Sequence, residues 1–247
     1  MADLQNGVIA LDIETATTVV NGESIDFTDT ACFELVAIGL GYQAPSSPTI
    51  ESTVLFRQEG WAEDDRVSLM QRTYEWIARR DPAVVLTYNG TNFDQIHLEA
   101  WARQATQQGQ WSDASMRMQS IFENHIDLHE HAMARYQHML QRHRTGISLE
   151  RICDWENIDL AEVPIDRSKF ADVDWCDSLT RNRVTGALVG SVLGEKYLDR
   201  IDQGITDPVT ATLEELLIDY TRSDIEPLFE LADAFDIDPV EPTTARP

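Results

Sequence analysis

Lysine is nearly absent: only Lys169 and Lys196 occur in 247 residues. Cysteine is scarce as well, limited to Cys32, Cys153 and Cys176. Their separations match no zinc-ligand spacing, and an odd number closes no disulfide framework. No apolar run reaches the ~18–20 residues that a membrane-spanning helix needs. The first residues carry no basic segment followed by an apolar stretch and a cleavage site, so no secretory leader is expected. A cytoplasmic protein without a membrane partner is the expectation from these absences. Internal repeats and low-complexity linkers are also missing, which favours one α/β domain over 1–236 and a flexible, proline-bearing tail over 237–247.

What abounds is acid. The chain holds 43 acidic residues against 19 lysines and arginines, a net charge of −24, within a composition (43% hydrophobic, 25% charged) typical of soluble globular proteins. Nucleic-acid binders are usually basic, because neutralised phosphates supply most of their affinity. Taken alone, the balance argues against a nucleic-acid partner. A second reading also explains the missing lysine: adaptation to molar salt, where charges are screened within about 3 Å. In that setting net charge says nothing about partners.

Hydrophobic patterning predicts strands at Val8 to Leu11, Leu35 to Tyr42, Thr53 to Phe56 and Ala83 to Thr87, with Ile121 to Leu128 as the last. Helical spacing runs from Ala62 to Arg80, stopping before Asp81-Pro82, and from Asp94 to Gln107. Helices are expected through most of the remainder to Phe235. The order implies a mixed five-stranded sheet with helices on its faces.

Three places put carboxylates where they are hard to explain as surface. Asp12 and Glu14 are two apart, so in a strand they project side by side at its end. Like charges that close need a proton or a cation between them, and hard divalent ions take oxygen ligands of this kind. A solvated strand end is the plainer alternative. Asp94 closes the loop Thr87-Tyr88-Asn89-Gly90-Thr91-Asn92-Phe93-Asp94 between a buried strand and a helix, a usual place for ligand contacts in α/β sheets. An N-cap aspartate is the alternative there. Asp224 falls on the apolar stripe of a helix that starts at Asp207-Pro208. A buried carboxylate requires a partner, either an arginine or a metal, and the other carboxylates tip the balance to metal.

In this order, LDIET (Leu11 to Thr15), DPAVVLTYNGTNFD (Asp81 to Asp94) and YTRSD (Tyr220 to Asp224) resemble the three motifs of the DEDD exonuclease superfamily. They are most similar to the proofreading exonuclease domain of family B DNA polymerases. The third motif matches the tyrosine version, since Asp219 stands where the histidine version has histidine. Weaker similarity covers Ile126-Asp127-Leu128 and Ile147-Ser148-Leu149-Glu150.

The resemblance implies a ribonuclease H-like fold and a 3′→5′ exonuclease using two divalent ions, Mg²⁺ or Mn²⁺. Asp12 would bridge the ions, Glu14 and Asp224 complete one, and Asp94 hold the other. Tyr220 would orient the attacking water. Asn89, Phe93 and Thr15 would bind the substrate, the first two at its 3′-terminal nucleotide. Single-stranded DNA is the expected substrate. RNA on the same site, or a catalytically silent nucleic-acid-binding module, are the alternatives.

Three features stand outside the pattern. No polymerase sequence follows the third motif, so a stand-alone nuclease or a subunit is expected. Pro227 is expected to kink or end the helix carrying Asp224. His125, His129, His131, His138 and His143 cluster, with 125 and 129 spaced for a helix face, yet no carboxylate or cysteine set completes a zinc site. Arg135, Arg142, Arg144 and Arg151 beside them either track a phosphate backbone or form a solvated face.

Overall fold

The first strand organises the molecule. In the computed structural model, which describes residues 6–19, 25–45, 47–140 and 146–237, β1 (Val8–Thr17) lies at the centre of a five-stranded sheet. It pairs antiparallel with β2 (Phe33–Gln43), which pairs antiparallel with β3 (Ile50–Phe56). On its other side it pairs parallel with β4 (Val84–Thr87), which pairs parallel with β5 (His125–Asp127). The spatial order β3-β2-β1-β4-β5 gives a mixed sheet flanked by helices, of the ribonuclease H-like kind.

Alternation along β1 sorts the two faces. Ile9, Leu11 and Ile13 enter a core with α1 (Glu63–Ala78), α2 (Asp94–Gln107) and α3 (Ala114–Ile121). Ala10 enters the opposite core, built with α4 (Leu128–Tyr136), α5 (Leu149–Glu156) and α8 (Pro208–Ala234). Period two therefore puts Asp12 and Glu14 on the α8 face. A third cluster joins Ala16 and Val36 to α6 (Gly186–Leu188), a π-turn over Val189–Leu193, and α7 (Gly194–Asp202).

Long α8 can cross the sheet closely because β2 has no side chain at two positions. Gly39 pairs with Asp12 in the register. A Cβ there would fall 2.2 Å from Ile225 Cδ1 and 2.3 Å from Thr221 Cγ2, and one on Gly41 would come 2.9 Å from Ile225 Cγ2. These two glycines bring the helix bearing Asp224 down onto the strand bearing Asp12 and Glu14.

Several expectations change. β1 does not end at Asp12 but runs on to Thr17, with a register shift between Glu14 and Thr15 where β2 contributes one extra residue. The carboxylates are thus mid-strand. Ile121 ends α3, a helix hidden by its polar sequence, so the last strand shrinks to three residues. Residues 157–185 are mostly loops and short 3-10 turns, where helices were expected. Pro227 does not end α8, which continues to Ala234 with Pro227 buried inside it. Tertiary burial of Ile225, Leu228 and Phe229 on both sides of it outweighs one missing hydrogen bond.

His125 lies in β5 and His129 in α4, so the two do not share a helix face. Arg135 donates to the Ala234 carbonyl, 2.8 Å away, closing the end of α8. His143, Arg142 and Arg144 lie outside the described residues. Of the expected tail, Ile237 packs on the α8 core and the rest lies outside the described residues. Among the described residues, no helix is long and apolar enough to cross a membrane.

Candidate metal centre

Asp12, Glu14 and Asp224 each place a carboxylate oxygen within 4.8 Å of the others. Glu14 is buried and the other two are half-buried. Two come from one strand, two residues apart. The third arrives from α8, some two hundred residues later, by way of the gap at Gly39. Asp94 is the fourth: it is 3% exposed, and its Oδ1 accepts the Ile13 backbone N–H at 3.0 Å. That bond ties the start of α2 to β1 between the two strand carboxylates. Asp94 is the first residue of α2 and Phe93 stands at the N-cap, so the N-cap expectation for Asp94 is not met.

Among the described residues, these acids are held together without a counter-charge. Burial, then Asp94, Glu14 and Asp224, hold the Asp12 carboxyl well above its usual range. Burial and the Asp224 charge do the same to Glu14, eased by the Thr221 hydroxyl 3.1 Å from its Oε1. Burial pushes Asp94 up to about 7, with Asp127 adding to it, and pushes Asp224 up to about 7 as well. Among the described residues, no arginine, lysine or histidine contributes to any of the four, so none supplies the arginine partner considered for Asp224. An all-carboxylate set of this type suits hard divalent cations, and a cation would remove the repulsion that raises these groups.

Tyr220 lies one helical turn before Asp224, and its phenol and that carboxylate shift one another. Burial, with Asp224 and Glu14, drives the phenol far above its ordinary value, so it keeps its proton. Gly186 leaves room for it: a Cβ there would sit 3.2 Å from the Tyr220 oxygen.

The four carboxylates and Tyr220 share a cavity of about 650 Å³ whose opposite wall is aromatic and aliphatic. Asn89, Phe93 and Thr15 all line it, so every residue expected at the site from sequence is brought to one place. Phe93 packs edge-on against Phe33 at 5.2 Å and against His97 at 4.5 Å. Asn89 adopts the left-handed conformation, φ 66°.

No protein-family model matches the chain, and no curated protein matches it by sequence. Among solved structures, the family B DNA polymerase from the hyperthermophilic archaeon Pyrobaculum calidifontis is similar over 92% of this chain, at 18% identity and a TM-score of 0.43. The chain spans 24% of the length of that polymerase chain. A likeness of that degree carries no functional weight.

Sequence reasoning missed four contributors. Thr221 bonds Glu14, and the glycines Gly186 and Gly190 open the cavity on the side of the π-turn. None has a signal in sequence beyond lying near a motif. Asp127 is the fourth: it is 5% exposed and hydrogen-bonded to the loop that carries Asn89 and Phe93. The short Ile126-Asp127-Leu128 similarity pointed to it without naming a role.

Proposed function

We propose that this chain is a metal-dependent 3′→5′ exonuclease acting on single-stranded DNA. The observation that carries the reading is the convergence of Asp12, Glu14 and Asp224 within 4.8 Å, with Asp94 beside them and, among the described residues, no basic side chain to neutralise them. Membership of the DEDD superfamily, in its tyrosine version, is part of the proposal and rests on the three motifs that supply these residues. The polarity of digestion rests on the same motifs.

Asp12, Glu14, Asp94 and Asp224 are the residues that would hold two divalent ions, Mg²⁺ or Mn²⁺. When bound, such ions stabilise the attacking and leaving oxygens of an in-line displacement at phosphorus and lower the pKa of the attacking water. The protein's own groups do the rest. Tyr220, kept protonated, donates from its hydroxyl and orients the water. Phe93 offers a ring to the terminal base, and Asn89 offers polar atoms at the same end. Thr15 lies against the cavity floor. Water forms the new bond to phosphorus, the bond from phosphorus to the preceding nucleotide's 3′-oxygen breaks, and the shortened strand keeps a 3′-hydroxyl.

The test uses DNA and RNA oligonucleotides labelled at the 5′ end, in molar KCl with Mn²⁺ or Mg²⁺, beside Asp12→Ala and Asp224→Ala. Expected is a ladder that shortens one nucleotide at a time on DNA, requires metal and disappears in both variants. Preference for RNA would make the enzyme an exoribonuclease. No cleavage by folded protein in any metal or salt would leave a silent binding module and defeat the proposal.

A further inference from the structure

A fifth acid, buried Asp127, lies close to the metal centre and outside its carboxylate set. The Asp127 carboxylate ends β5 and accepts three backbone N–H groups: Asn89 at 2.7 Å and His129 at 3.0 Å on Oδ1, and Thr91 at 3.0 Å on Oδ2. The His129 bond caps α4. The other two reach across to the loop that follows β4, next to which β5 runs parallel, with Thr87 and Asp127 in register.

That loop needs an outside support. Asn89 is left-handed without being glycine, a conformation that side chains rarely adopt unassisted. The 3-10 turn Gly90–Asn92 starts with no side-chain cap, and so does α2. Phe93, at φ −138° and ψ −74°, also lies away from the regular regions. A carboxylate taking buried amide N–H groups makes charge-assisted hydrogen bonds, stronger than neutral ones. Asp127 supplies two of these to a loop whose own bonds are neutral ones, from the Asn92 side chain to Asn89 at 3.1 Å and from the Asn92 and Phe93 N–H groups to the Asn89 and Gly90 carbonyls.

Three residues assigned to the proposed reaction hang from this loop: Asn89, Phe93 and Asp94. We infer that Asp127 is a positioning residue, a clamp on the Asn89–Thr91 backbone that sets the 3′-end subsite and the entry of Asp94 into the metal centre. The inference rests on the exonuclease reading for its functional half, while the clamp itself is a property of the fold. Cap and clamp share one carboxylate, so the α4 start and the subsite loop move as a unit.

The experiment compares Asp127→Asn with Ser148→Ala. Asparagine keeps the shape but turns an N–H₂ toward one of the backbone donors. Ser148 caps α5 through the Arg151 N–H and bonds nothing in the loop, so it controls for the loss of a helix cap. Amide hydrogen exchange of a peptide covering residues 88–94 is read by mass spectrometry, with melting temperature, Mn²⁺ calorimetry, and kcat and KM on a 5′-labelled oligonucleotide.

Expected for Asp127→Asn is exchange at Asn89 and Thr91 faster by about tenfold or more, since a lost hydrogen bond of ~1.4 kcal/mol is a factor of ten. KM should rise and kcat fall, together about 10–100-fold in kcat/KM, at melting temperatures that match the Ser148→Ala control. Mn²⁺ binding to the Asp12, Glu14 and Asp224 set should persist. Thr91→Pro deletes one donor from the loop side and should shift exchange and KM in the same direction by less, which serves if Asp127→Asn fails to fold. Unchanged exchange overturns the clamp. Faster exchange with kinetics equal to Ser148→Ala overturns the positioning role. A wild-type protein inert on nucleic acid refutes the exonuclease reading alone, because exchange still judges the clamp.

Discussion

Replacing Asp224 with asparagine should make the metal-free protein more stable at neutral pH, although it removes a residue at the heart of the site. Burial raises the Asp224 carboxyl from 3.8 to about 7. A native pKa above the unfolded value means the folded state binds the proton more tightly. Folding is therefore unpenalised below pH ~4, and a cost grows as pH rises from ~4 to ~7, where it levels off. A shift of about three units at ~1.36 kcal/mol each sets that cost near 4 kcal/mol. Molar salt and partial exposure reduce it, so about 2–4 kcal/mol is the working range. Asparagine stays neutral at every pH. It also relieves Glu14, whose pKa Asp224 raises. At about 2–4 °C per kcal/mol for a chain of this size, Asp224→Asn should melt ~4–16 °C above wild type at pH 8 in EDTA. The gap should close by pH 4. Saturating Mn²⁺ should reverse the order, because binding stabilises the wild type by mass action. Calorimetric melts at pH 4, 6 and 8, with and without Mn²⁺, read all three effects. A variant that melts below wild type by the same margin at pH 4 and pH 8 without metal refutes the reasoning: Asp224 would then be an ordinary stabilising hydrogen-bond partner.

Other expectations follow from the same geometry. Gly39→Ala places a Cβ against Ile225 and Thr221, so it should cost about 1–3 kcal/mol in denaturant melts and lower activity by displacing α8. Tyr220→Phe should keep the fold and Mn²⁺ affinity while lowering kcat by about 10–100-fold with little change in KM, the signature of a lost transition-state contact. Arg57, fully buried between Glu34 and Asp65, should be costly to remove: Arg57→Ala leaves Glu34 to Arg66 and Asp65 to two backbone N–H groups, and should lose about 3 kcal/mol by urea melts. With a net charge of −24, the protein should unfold on dialysis from molar to millimolar KCl, followed by circular dichroism; retention of structure there would contradict salt adaptation.

Much of the site could be read in advance because short-range rules carry it. The spacing of Asp12 and Glu14 dictates one face of any strand, and the Asp207-Pro208 pair marks the start of α8, where Asp207 does accept the Thr210 N–H at 3.0 Å. The loop from Thr87 to Asp94 is a recognisable strand-to-helix turn, and helix α2 spans Asp94–Gln107 as its pattern predicts. Where local rules compete with packing they fail. The polar run before Ile121 hid α3, and Pro227 reads as a helix breaker yet lies inside a buried helix.

Sequence by itself determined which side chains are acidic, which pairs share a face, and where the main strands and helices begin. It also carried the motif order that points to a nuclease. Only the tertiary structure decided that Asp224 has no arginine partner among the described residues, that two glycines let α8 descend onto β1, and that Asp127 bonds the loop of Asn89 and Phe93. The reason is physical. Periodicity and capping act over a few residues, whereas a pKa, a helix–sheet distance and a buried carboxylate's partners depend on groups far apart in the chain that meet only when the core closes.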